Sequence, residues 1–133
     1  MKRIIIAIIF IAISVIIGIY STNETDKRCR RMESRINSAI ELNTEILETS
    51  THDKRIEFYN MTKNLNDAWE ETSQFFYFFF NNDDIKDIET NIEKLPTHAK
   101  SGDIESTYLC LVEVLEEFEY LKNSTKPDFN NIF

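Results

Sequence analysis

The residues of this 133-residue chain that are able to do chemistry do not converge. His52 and His98 each stand alone near an expected helix end. A catalytic zinc needs three protein ligands at converging positions, so neither a metal nor any other cofactor is expected. Asp83-Asp84 and Glu116-Glu117 are adjacent carboxylates, and adjacent positions on a helix point to different faces. They read as a helix cap and a solvated face rather than as an acid/base pair. The acidic run over 83–93 lacks the glycine and the twelve-residue pattern of a calcium loop. No Gly-rich phosphate loop, nucleophile elbow or kinase signature is present. Cys29 and Cys110 form no CxxC; outside a cell they are able to pair, but the simpler reading makes both small apolar residues on helix faces. No catalytic residue is assigned, and the chain is read as a non-enzyme.

Two other groups carry information. Phe75, Phe76, Tyr77, Phe78, Phe79 and Phe80 follow one another without a break. At 100° per residue six consecutive rings surround a helix, whereas a small bundle buries one face or two. Some rings must therefore meet the bilayer interface, another protein or water. Lys27, Arg28, Arg30 and Arg31 form the second group, suited to anionic lipid headgroups or to pairing inside the chain. The net charge of −8 repels nucleic acid, so none is expected as a partner.

The element that must position both groups lies at the start. Residues 4–20 hold no charge, and a helix of that run is roughly 26 Å long, close to the roughly 30 Å of a hydrocarbon core. Residues 1–22 are read as a single membrane-spanning anchor. Bulky residues in each candidate pair (Ser14/Ile16, Ile16/Gly18, Gly18/Tyr20) argue for a retained anchor over a cleaved signal. Lys2 and Arg3 directly before the run favour a cytoplasmic N-terminus and an extracytoplasmic domain, although the basic group at 27–35 pulls the other way.

The remainder divides into a domain over 23–126 and a tail over 127–133. Only two Gly and two Pro argue for long helices. After a polar break at 21–25, apolar spacing predicts helices over about 24–49, 53–80, 83–98 and 103–122. The third has a narrow seam of Ile85, Ile88, Ile92 and Leu95, and Pro96 should kink or stop it near Leu95. The fourth has a wide apolar stripe and should be the most buried. The fold class is thus all-α: an N-terminal transmembrane helix followed by an antiparallel bundle of about four helices. Short connections bring the aromatic run and the tail, with Ile132 and Phe133, back to the membrane-facing end. The basic segment of the first helix should meet Glu113, Glu116, Glu117 and Glu119 there.

The order of these features is similar to a known family. The late Trp69, the turn into Ile85-Lys86-Asp87-Ile88-Glu89 and Leu95, and the end Asn131-Ile132-Phe133 resemble a family of small bacterial membrane-anchored helical proteins catalogued as a domain of unknown function. The resemblance implies a four-helix extracytoplasmic domain working beside a multi-spanning membrane protein; it implies no activity. Members often carry a histidine at the turn into the third helix, where Asn82 stands here. The expected role is that of a membrane-anchored accessory protein whose aromatic run and tail contact an integral membrane partner or another copy of itself. The alternative is an extracytoplasmic ligand-sensing bundle, which requires a cavity among its helices.

Overall fold

The computed structural model of the protein describes residues 1–49 and 51–125. Among them are four α-helices and no strand: α1 Lys2–Glu48, α2 His52–Phe79, α3 Asn82–Ser101 and α4 Ile104–Ser124. The tail, and with it Ile132 and Phe133, lies outside the described residues.

The apolar segment and the first bundle helix are one helix. The expected break at 21–25 does not form, because these polar residues bond within the helix instead of opening it. Thr22 Oγ1 donates to the Gly18 carbonyl at 3.0 Å, as Ser14 Oγ does to Phe10 at 2.9 Å. Glu24 pairs with Lys27 and Arg28, and Asp26 with Arg30, at the three- and four-residue spacings that support a helix. The change of polarity near residue 21 therefore marks a change of surroundings and not of conformation. Residues 1–20 are exposed throughout, and burial begins beyond them.

The buried positions explain the bundle. In α1 they include Thr25, Cys29, Met32, Ile36, Ala39, Asn43 and Ile46, alternating four and three apart. In α2 they include Phe58, Thr62, Leu65, Trp69, Thr72 and Phe76, with the same alternation. Ile85, Ile88, Ile92 and Leu95 of α3 and Thr107, Leu111, Val114, Phe118 and Leu121 of α4 continue it. A seven-residue repeat on every helix keeps a narrow seam facing its neighbours, the geometry of left-handed bundles. Each helix packs on the next, and α1 closes the square with α4. Asn43 Nδ2 donates to the Ile104 carbonyl at one end, and Lys122 meets Glu33 toward the other, so α1 and α4 run antiparallel.

The seam also corrects two expectations. The buried stripe of α4 is narrower than its apolar residues suggest: Tyr108 and Leu109 are exposed, and threonine at 107 takes the core position beside them. α3 does not stop near Leu95 but runs through Pro96 to Ser101. Proline deprives only the Ile92 carbonyl of its donor, at about 3 kcal/mol in a helix interior. Leu95 and Ala99, set against the core on either side of the proline, offset that loss. The helix ends where Gly102 takes a left-handed φ of 78°, which favours glycine, and Asp103 N–H reaches the His98 carbonyl.

Candidate functional site

Two surfaces stand out, an aromatic foot at the end nearest the apolar segment and an acidic groove between α3 and α4. Arg28 organises the foot. Its Nε bonds Glu24 Oε2 at 3.2 Å, its Nη1 donates to Thr72 Oγ1 at 2.9 Å, and its guanidinium lies 4.6 Å from the Phe75 ring centre. These contacts fix the register of α1 on α2.

That register distributes the six rings. Phe76 enters the core, stacked on Trp69 at 5.7 Å and edge-on to Phe118 at 5.8 Å. Tyr77 donates to Glu89 Oε2 at 2.6 Å, tying α2 to α3. That hydrogen bond is the main reason its hydroxyl pKa is pushed up to about 12. Phe75 lies under Arg28, Phe79 rests on Phe75, and Phe80 leans on Phe76. Phe78 alone faces outward, 80% exposed, touching Phe79. The run thus surrounds its helix, and one ring is left with little of the bundle to cover it.

The basic group sits differently from expectation. Lys27 and Arg30 are exposed and paired within α1, and Arg28 reaches α2. Arg31 lines a shallow groove with Arg28, Arg35, Glu71 and Thr72 on the α1–α2 side. Glu113, Glu116 and Glu117 face α3 instead, so the basic stretch of α1 does not meet them. α1 and α4 pair in the opposite sense, Lys122 Nζ lying 2.7 Å from Glu33 Oε1. Helix order was enough to place these residues at one end, but facing depends on rotation about the helix axis.

Where α3 meets α4, Asp84, Asp87, Glu113, Glu116, Glu117 and Tyr120 line a cleft of about 320 Å³. Glu117 Oε2 is buried there without a hydrogen-bond partner. Burial, and then the charges of Asp87, Glu113 and Asp84, push its carboxyl up to about 7. No sequence motif announces this group; its signal is the seam itself, which turns Glu117 inward beside Phe118. Among the described residues no three His, Cys, Asp or Glu are grouped to hold a metal ion.

Both cysteines are free, Cys29 buried and Cys110 half-buried. Cys29 lies near Lys122, and Cys110 is twelve residues, roughly 18 Å, further along α4. A disulfide brings its Cα atoms within about 7 Å, so the two cannot join within one molecule.

The fold and its foot define an up-down-up-down helical bundle built as the continuation of a helix long and apolar enough to cross a membrane. The family model described as a domain of unknown function (DUF4363) matches residues 19–132, and the chain belongs to that family. The match covers the bundle and begins where the apolar segment ends. No curated protein and no solved structure matches the chain.

Proposed function

We propose that this protein is a membrane-tethered, non-enzymatic accessory protein that holds a rigid helical bundle against the membrane surface, where an integral membrane protein is its partner. One observation carries the reading: twenty exposed, mostly apolar residues run without a joint into the first seam of the bundle. Exposed apolar side chains on this scale require a non-aqueous neighbour, and a helix of this length and composition fits a bilayer. Lys2 and Arg3, directly before the run, favour the bundle on the extracytoplasmic side. Among the described residues, those lining the acidic groove are carboxylates, Ile88, Tyr120 and Leu121, with no lysine, arginine, histidine, serine or cysteine of the kind that hydrolytic or transfer chemistry uses. The gap inside the bundle between Ile46, Phe58, Ala99 and Thr107 holds about 10 Å³, no more than one water needs, and the larger cleft between α3 and α4 lies open at the surface. This favours contact over ligand sensing.

The test is fractionation of cells expressing the full chain, followed by purification in mild detergent. The reading expects the intact chain to resist alkaline carbonate extraction, to be cut by external protease only when the outer face is accessible, and to co-purify in fixed ratio with an integral membrane protein. A soluble chain trimmed near Tyr20 refutes it.

A further inference from the structure

We infer that the foot of the bundle is a second membrane contact, with Phe78 seated in the headgroup layer of the same bilayer that holds the apolar part of α1. The inference rests on the tether proposed above and adds what the exposed ring touches: lipid.

The register sets the height. α1 is unbroken, so levels along it are measured at 1.5 Å per residue from Tyr20, the last residue of the apolar run. Arg28 stands eight residues beyond Tyr20, roughly 12 Å away. There it meets Thr72 and Phe75 of the antiparallel α2. From those two residues α2 runs back toward the apolar segment for six and three residues to reach Phe78, roughly 9 and 5 Å. Phe78 is therefore about 3–8 Å above Tyr20. The headgroup layer of one leaflet is about 5–8 Å deep, half the difference between the whole bilayer and its hydrocarbon core. The ring thus falls within that layer.

A second helix also reaches the end of the bundle next to the apolar segment. Thr125, just after α4, borders a cleft with Val15, Gly18, Ile19, Thr22 and Asn23. The end of α4 therefore reaches down to the apolar segment itself, and no gap separates the foot from the bilayer. The chemistry agrees: interfacial contacts bury aromatic and aliphatic side chains about 5–10 Å into the headgroup and acyl boundary. Phe78 is 80% exposed, and Phe79 and Phe80 are only partly covered beside it. Asp83 and Asp84 open α3 next to the foot, so attraction to anionic lipid does not drive the contact. The seat is apolar, and zwitterionic lipid suffices for it.

The experiment reconstitutes the full chain, with Trp69 retained, into phosphatidylcholine vesicles whose acyl chains are brominated close to the headgroup. Phe78→Trp is compared with Leu109→Trp and with the unaltered chain. Leu109 is exposed on α4 and stands far from the foot, near the level where Ile104 meets Asn43. Both substitutions replace exposed side chains, and the Trp69 emission reports that the core is intact. Flotation of the vesicles tests the tether separately. The expected result is that all three proteins float, that the added emission of Phe78→Trp is blue-shifted, and that it is quenched several-fold more strongly than that of Leu109→Trp. If the chain floats but Phe78→Trp is quenched no more than Leu109→Trp, the lipid seat is overturned while the tether stands, and the foot belongs to a protein partner. If the chain does not float, the tether fails and the seat falls with it.

Discussion

Replacing Glu117 by glutamine should stabilise the bundle in mildly alkaline buffer and leave it unchanged in acid. Glu117 has one buried oxygen without a partner, faces Asp84 and Asp87 across the acidic groove and has Glu113 one turn before it on its own helix. Its carboxyl titrates at about 7 when folded, against a usual 4.5. The folded chain therefore holds a proton that the unfolded chain releases between pH 4.5 and 7. Stability falls wherever the folded state binds more protons as pH rises, so this group weakens the fold progressively across that window. At full weight the displacement corresponds to about 3 kcal/mol. Solvent reaches part of the side chain and screens its neighbours, which reduces the effect to about 1 kcal/mol. For a bundle of this size that is about 4 °C in melting temperature. Circular dichroism melts of the full chain in detergent should show Glu117→Gln about 4 °C above the parent at pH 8 and level with it at pH 4. Added salt should narrow the gap by screening the carboxylates. A variant that melts below the parent at pH 8, or that follows the same pH profile, refutes the reasoning.

Other outcomes follow from the foot and the core. Arg28→Ala removes a charged hydrogen bond, a ring contact and a helix pair together, and should cost about 1.5 kcal/mol in urea titration. Arg28→Lys should recover under half of it, because an ammonium does not reproduce the planar fork. Trp69→Ala should cost about 3–5 kcal/mol, since its ring stacks on Phe76 and meets Phe118 edge-on. Trp69→Phe should cost far less, because it also removes an indole N–H that is buried without a partner. Cys29, whose thiol burial pushes up to about 12, should resist maleimide until the chain unfolds, whereas half-buried Cys110 reacts in the folded state.

Much of this arrangement was legible in the residues, and what was missed has a common cause. The buried face of α3 was readable, since Ile85, Ile88, Ile92 and Leu95 stand among polar neighbours and admit only one face, although its continuation through Pro96 was not. The turn into α3 was readable from its polar cluster, although its cap is Asn81 and the Asp83-Asp84 pair sits in the first turn beyond it. In the other helices polar residues occupy the seam. Thr25, Asn43, Thr62 and Thr107 are fully buried, while Leu47, Ile56 and Leu109 face outward. Reading apolar residues as inward turns α1, α2 and α4 slightly about their axes. The level of each residue along the bundle survives that rotation; the direction in which it points does not. For the same reason the aromatic run was correctly expected to leave a ring uncovered, whereas Glu113, Glu116 and Glu117 were expected to meet α1 and instead face α3. Continuity of α1 was missed because serine and threonine suggest a turn until their hydroxyls are seen to bond the preceding helical turn.

The uninterrupted α1 gives the molecule the mechanics of a mast. With no pliable joint between its greasy stem and its superstructure, tilting the stem swings the opposite tip through the same angle, and twisting it spins the whole assembly. Twenty-eight residues separate Tyr20 from the top of the helix at Glu48, roughly 42 Å of rise. On the tether proposed above, anything that engages the corner at Gly102 must project about that far from the lipid, whereas a neighbour confined to the bilayer meets only the lowest turns.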